Sequence, residues 1–341
     1  MAGMAYTEGN RERAALFLGM LLSLGATAKG QGTEGYPIAF FFGVMLMTLV
    51  QSTVPGPKLP KSIFNYEVID YIGQGAGSVL YAVTDPKTNQ IYALKHVPVK
   101  TEKDERYVEQ LEAEFEVGKS ISDSGLRRSI EMKVHRNLLR KVQEAVLVLE
   151  LFDGNPLDAA PPRRMSDIAG CFAQVGKALL ALHQAGYVHC DLKPNNIMVG
   201  SDGRVKVIDL GQACKINTVK KRIQGTPDYI APEQVKCDPV TPRTDVYNLG
   251  ATLYWVLTGK NLPTLFTLKR SDNSFLVDIK IESPRDINPK VPENLSNLVM
   301  DCVRVNPAKR PEMPDVVRRL EIIEFTIERA AKAGRGVLVH A

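Results

Sequence analysis

Apolar residues along this chain fall into three patterns, each predicting a different kind of element. Between Asn65 and Ile72 they nearly alternate, at Tyr66, Val68, Ile69, Tyr71 and Ile72, and a second short run follows from Val79 to Val83. Alternation of this kind predicts half-buried strands. Ile91-Tyr92-Ala93-Leu94-Lys95 repeats it, whereas Ala145 to Leu151 is a nearly unbroken apolar run that reads as a buried strand. Elsewhere the spacing lengthens. Over Arg106 to Ser120 the apolar positions Val108, Leu111 and Phe115 lie three and four apart, and Ile168, Phe172, Val175, Leu179 and Leu182 do the same over Met165 to Gly186. That spacing predicts amphipathic helices, with Gly186 placed to end the second. Another apolar helix opens at Asp245, and further helices close the chain to about Glu328, leaving 330–341 as a tail.

Residues 1–57 follow neither rhythm. Ala14 to Ala28 and Tyr36 to Pro57 are uncharged and mostly apolar, separated by a short polar link from Lys29 to Gly35. The second run reaches the roughly 17–25 residues that a membrane-spanning helix needs, and the first is marginal. Three readings fit. A two-helix hairpin would put Arg11, Arg13, Lys58 and Lys61 on one side of a membrane, as the distribution of basic residues favours. A signal peptide would use Arg11 and Arg13 before the apolar core and Ala26-Thr27-Ala28 as its cleavage site. The third is a hydrophobic arm packed on the protein itself, or a start codon set too early. Membrane insertion is preferred over the other two. The prolines of Val54-Pro55-Gly56-Pro57-Lys58-Leu59-Pro60 then make a stiff linker.

With 341 residues, 44% of them hydrophobic, the chain is long enough for one large domain or two lobes plus an appendage. Its net charge of +5 is modest and does not suggest nucleic-acid binding. The five cysteines (Cys171, Cys190, Cys214, Cys237 and Cys302) are scattered without a C-x-x-C pair, which argues against a zinc site or disulfide framework and fits a reducing compartment.

The chemistry concentrates in His189-Cys190-Asp191-Leu192-Lys193-Pro194-Asn195-Asn196, which sets a carboxylate, an ammonium and a carboxamide on what reads as a loop. A short strand from Val205 to Ile208 then runs into Asp209-Leu210-Gly211. Two acidic groups and an amide are the set that holds Mg²⁺ on a nucleotide and orients a hydroxyl nucleophile. Upstream, Gly73-Gln74-Gly75-Ala76-Gly77-Ser78 joins two strands. Such a loop can lay backbone N–H groups over phosphates, although by itself it fits a hairpin turn equally well. No Gly-Lys-Ser/Thr follows, so it is not a Walker A loop.

Taken in order, these motifs resemble those of the Ser/Thr protein kinases. The resemblance covers roughly residues 64–325 and implies a two-lobed α+β fold, with a small β-rich lobe over 64–150 and a mostly helical lobe over 154–325. It implies an enzyme that moves the γ-phosphoryl group of ATP, with Mg²⁺, to Ser/Thr hydroxyls of a protein substrate. In that scheme Asp191 orients the hydroxyl, Lys193 neutralises the phosphoryl group, and Asn196 and Asp209 hold the metal. Lys95 contacts the phosphates and pairs with a helix carboxylate, taken as Glu114 with Glu112 the runner-up. The glycine loop from Gly73 to Ser78 covers the phosphates. Leu80, Ala93 and Met198 line the adenine pocket, and backbone groups of Glu150 and Phe152 bond the base. Gly225-Thr226-Pro227-Asp228-Tyr229-Ile230-Ala231-Pro232-Glu233 resembles the end of the kinase activation loop. There Thr226 touches Lys193, Arg310 pairs with Glu233, Asp245 braces the catalytic loop, and His189 packs beneath it.

The sequence departs from the family pattern at four places, one of them Leu80, which stands where valine is usual. Ser78 stands at the third glycine of the loop, with Gly77 beside it. Leu210 replaces the phenylalanine of Asp-Phe-Gly. Cys190 replaces the arginine of His-Arg-Asp, the cation that grips a phosphorylated activation loop, so activity without phosphorylation of Thr218 or Thr226 is expected. The alternative reading is a pseudokinase, an ATP-binding scaffold. The basic stretch from Arg127 to Lys141 reads as a solvated edge strand.

Overall fold

A computed structural model describes residues 59–264, 266 and 281–336, so both apolar N-terminal runs lie outside the described residues. The alternating segments form an antiparallel sheet. It comprises β1 (Ser62–Ile63), β2 (Tyr66–Gln74), β3 (Val79–Thr84), β4 (Ile91–Pro98), β5 (Ser129–Arg136) and β6 (Val142–Glu150), in the spatial order β1-β2-β3-β4-β6-β5. The apolar run from Ala145 to Leu149 is wholly buried because β6 is an interior strand with side chains packed on both faces. The basic β5 lies at the sheet edge, as its charge suggests.

Helix α1 (Glu105–Ser120) crosses this sheet and buries Val108, Leu111, Glu114 and Val117. Three-residue spacing places Glu114 in the same inward stripe as Leu111, the only charged side chain on it.

The chain then passes through β7 (Asn155–Pro156) into α2 (Met165–Gln184), the central helix of the second lobe. Its stripe of Ile168, Phe172, Val175, Leu179 and Leu182 is at most 2% exposed. Each of these side chains contributes about 1.5–3 kcal/mol through burial. Among the described residues α2 is the one helix long and apolar enough to cross a membrane, and two thirds of its apolar window is buried in the protein core. Gly186, at φ +85°, turns the chain out of the helix.

Beyond it lie β8 (Tyr187–Val188), β9 (Ile197–Val199), β10 (Val205–Val207) and β11 (Cys214–Lys215). Two small sheets result, one ordered β10-β9-β7 and the other pairing β11 with β8. Helices α3 (Pro232–Lys236), α4 (Pro242–Thr258), α5 (Pro284–Ile287), α6 (Glu293–Cys302) and α7 (Met313–Gly336) complete the lobe. A two-lobed α+β fold follows, helical on one side and β-rich on the other.

Two expectations are corrected. Helix α7 runs to Gly336, so a tail does not begin at Ala330. Ala330, Ala331 and Ala333 are strong helix formers without an intervening proline, and nothing stops the helix there. Arg127 is not part of a solvated strand. It precedes β5, is 9% exposed, and sits where the lobes meet, its N–H donating to the Val207 carbonyl at 3.0 Å.

Candidate active site

Between the lobes lies a cavity of about 720 Å³ lined by the glycine loop, Leu80, Ala93, Lys95, Glu150, Phe152, Asp191, Lys193, Asn196, Met198 and Asp209. One end is apolar (Ile72, Leu80, Ala93, Met198) and the other is crowded with charge. An apolar slot ending in charge suits a flat heterocycle carrying phosphates.

Strand β4 projects Lys95 into the charged end, where its Nζ lies 2.7 Å from Glu114 Oε2 and 3.0 Å from Asp209 Oδ1. Glu114, not Glu112, is therefore the helix carboxylate that meets the lysine. Burial alone would depress the Lys95 ammonium, but Glu114 and then Asp209 outweigh it and raise its pKa. Burial would likewise raise the Asp209 carboxyl, yet the neighbouring Lys95, helped by Arg127 and His189, holds it below the usual range. Asp209 itself is held in the left-handed region at φ +62°, between β10 and a 3₁₀ turn over Leu210–Gln212. Leu210 is 1% exposed and packs in the helical core, so leucine serves where phenylalanine is usual.

Across the cavity, Asp191 and Lys193 pair at 3.0 Å. The Thr226 hydroxyl donates to Asp191 Oδ1 at 2.8 Å and accepts from Lys193 Nζ at 2.9 Å. Asn196 Nδ2 donates to the Asp191 carbonyl at 2.9 Å, which ties the amide to the loop carrying the carboxylate.

Asp245, fully buried at the start of α4, accepts from the backbone N–H groups of His189 and Cys190, both at 2.9 Å. His189 is also fully buried, and its Nε2 lies 3.3 Å from the Ile208 carbonyl while Nδ1 accepts from Asp191 N–H at 3.2 Å. It braces the loop from below. Glu233 and Arg310 form a bidentate pair at 2.7 and 2.8 Å.

Gly77 has a steric duty that its place in the loop does not reveal. A Cβ there would come within 2.3 Å of the Tyr107 ring on α1, so only glycine lets the loop lie against that helix. Tyr107 lines the same cavity.

Three site residues escaped the sequence reading. Arg127 Nη2 reaches Glu114 Oε1 at 3.4 Å, so each oxygen of Glu114 has its own cation. Lys206, 6% exposed, holds the Glu150 carboxylate at 2.6 Å behind the segment joining the lobes. His183 at the end of α2 meets Asp245 at 2.8 Å.

The site suits ATP with Mg²⁺. Among the described residues no three His, Cys, Asp or Glu side chains gather as a metal cluster. The set at hand, one carboxylate and one amide beside room for phosphates, is what a hard cation that keeps part of its water shell requires.

Comparison with known proteins agrees. The family model for the protein kinase domain matches residues 66–320. The chain belongs to the protein kinase family. It is similar to the serine/threonine-protein kinase PknA of Mycobacterium tuberculosis, 29% identical over 72% of this chain and 58% of the relative. A probable serine/threonine-protein kinase of Clostridium acetobutylicum is 28% identical over 72% of this chain and 37% of the relative. The kinase ArnS of Sulfolobus acidocaldarius is 26% identical over 80% of this chain and 52% of that protein. The chain thus spans between about a third and three fifths of the length of these relatives.

Proposed function

We propose that the chain is a serine/threonine protein kinase using ATP and Mg²⁺, with residues 64–325 as its catalytic domain. The observation that carries this reading is the facing of two constellations across one cavity: Lys95 with Glu114 and Asp209, and Asp191 with Lys193 and Thr226. Phosphoryl transfer demands positioning and charge stabilisation more than covalent chemistry, and these groups supply both. Bound Mg²⁺, held by Asp209 and Asn196, would neutralise charge on the phosphates. Asp191 would receive the substrate hydroxyl where Thr226 now donates, orienting it and accepting its proton. Lys193, 3.0 Å from Asp191, would face the transferred group. Lys95, anchored by Glu114, would hold the remaining phosphates. Leu80, Ala93 and Met198 would enclose adenine, with the backbone of Glu150 and Phe152 as its polar edge.

Activity without phosphorylation of Thr218 or Thr226 belongs to the same reading. Cys190 offers no cation to a phosphate, while Asp245 and the β11–β8 pairing already hold the catalytic loop and the start of the activation segment. Residues 1–57 are taken as a membrane anchor on the strength of their two apolar runs, which would leave the kinase domain cytoplasmic. Sedimentation of the full chain with membranes, lost on deleting 1–57, is the measurement for that part.

The test of the activity is transfer of labelled phosphate from ATP-Mg²⁺ by the full chain to a generic basic protein. Transfer to Ser/Thr, abolished by Asp209→Ala and by Lys95→Ala, is expected. Nucleotide binding without transfer would make the chain a scaffold instead.

A further inference from the structure

Cys190 and Cys214 lie beneath the catalytic loop, packed with Val188 and Val240 and outside the cavity lining, and the kinase reading gives neither a role. Cys190 is 1% exposed and sits beside Asp191 on the catalytic loop. Cys214 is half-buried on β11, five residues beyond Asp209. Antiparallel pairing sets Cys214 opposite Val188 on β8, two residues before Cys190, and the two sulfurs come to 3.7 Å. Backbone contacts fix both ends. Asp245 takes the Cys190 N–H and Gln234 Nε2 donates to the Cys190 carbonyl at 2.7 Å, while Lys220 Nζ bonds the Gln212 carbonyl two residues before Cys214.

We propose that Cys190 and Cys214 are a reversible oxidation site, closing into a disulfide when the chain meets a hydroperoxide. Closure needs the sulfurs to approach from 3.7 Å to about 2.05 Å, within reach of side-chain rotation and slight backbone yielding.

The pair is asymmetric in the way that such chemistry requires. The hydrogen bond with Cys190, together with the nearby Lys220 ammonium, brings the Cys214 thiol down to about 6 against the opposing effect of burial. The same hydrogen bond, with burial and the Asp245 carboxylate, pushes the Cys190 thiol well up. The more exposed sulfur is thus the thiolate and the buried one keeps its proton.

In the reaction, the Cys214 thiolate attacks the outer peroxide oxygen and the O–O bond breaks. The leaving oxygen takes a proton, and Cys214 becomes a sulfenic acid. The Cys190 sulfur then attacks Cys214. The S–O bond breaks and the hydroxide departs with the Cys190 proton as water. Two thiols lose two electrons and two protons, and hydrogen peroxide becomes two waters. A thiol reductant reverses the bond by exchange.

The bond closes a ring from 190 to 214 that contains Asp191, Lys193, Asn196 and Asp209. It would lock the start of the activation segment onto the catalytic loop. This consequence rests on the kinase reading, whereas the bond itself does not.

The experiment treats the reduced full chain with dilute hydrogen peroxide, blocks remaining thiols and maps peptides by mass spectrometry. A Cys190–Cys214 cross-linked peptide is expected, lost on reduction, absent in Cys214→Ser and retained in Cys237→Ser. Closing this ring should raise the melting temperature by roughly 5–10 °C. Both thiols remaining open to alkylation, Cys214 linking to another cysteine, or Cys214 passing to sulfinic acid beside an untouched Cys190 would overturn the proposal. Mapping needs no ATP, so a chain that forms the bond but transfers no phosphate even when reduced refutes the kinase reading alone. With the reduced chain active, a bond that holds the loops in the arrangement seen here should leave transfer within about threefold, and a fall of tenfold or more refutes the locking role.

Discussion

Glu233 and Arg310 meet inside the helical lobe much as Lys95 and Glu114 meet in the cleft, yet the surroundings of the two pairs differ. Arg310 is 2% exposed and spends all five of its N–H groups: two on Glu233 and the others on the carbonyls of Arg243, Arg304 and Val305. The Tyr247 ring stacks against the guanidinium with the carbon 4.9 Å from its centroid. Glu233 is completed by the Thr244 hydroxyl at 2.8 Å. Nothing there is left to bind a ligand. In the cleft, by contrast, Lys95 answers two carboxylates, and the Asp209 side chain is 39% exposed to the space where phosphates would enter. One pair is closed on itself and shapes the lobe, while the other is arranged to exchange partners.

The contrast would break first at Arg310. Arg310→Met strands the buried Glu233 carboxylate and should cost about 3–5 kcal/mol by denaturant unfolding. Adding Glu233→Leu should restore much of that loss, because a buried pair replaced as a unit is often neutral. If the single change proves harmless, the closed pair is not the anchor described here.

The cleft pair should show the opposite profile. Glu114→Gln leaves Lys95 without its partner on α1 and should lower phosphate transfer roughly 10- to 100-fold, while stability moves by about 1 kcal/mol. Glu112→Gln on the same helix should change the rate less than about twofold. Equal losses in the two variants would dissolve the distinction between the carboxylates.

The smallest effect concerns acid. The folded Asp209 carboxyl lies below its unfolded value of about 3.9, so its contribution to stability is complete above that pH and fades as pH falls through the folded value. Melting temperatures of the wild type should therefore decline below about pH 4 more steeply than those of Asp209→Asn. Matching slopes would place the acid sensitivity elsewhere.

What could be read from the sequence depended on how locally each partner was specified. Lys95 closes the alternating stretch Ile91–Lys95 within β4, and Arg310 lies within Asn306–Pro311, a motif of its own, so both were legible. Spacing alone could not tell Glu114 from Glu112, which lies four residues after Val108 and three before Phe115; only the fold buries Glu114 and leaves Glu112 exposed. Arg127, Lys206 and His183 were not legible as site residues. Their carboxylates lie 13, 56 and 62 positions away, and only the folded chain brings them together. The extension of α7 was a local matter that alanine content could have decided. The two apolar runs before Lys58 lie outside the described residues.

Gly77 and Tyr107 join two parts that are usually considered separately. The ring bears against the loop so closely that a single methyl would not fit, and Tyr107 is rooted seven residues before Glu114 on the same helix. Lid and lever therefore share a bearing surface. A displacement of the loop away from α1 would open that contact, and a tilt of α1 that withdrew Glu114 would carry the Tyr107 ring with it. The seating of the loop and the placement of α1 thus share one contact, made by one tyrosine and the absence of one side chain.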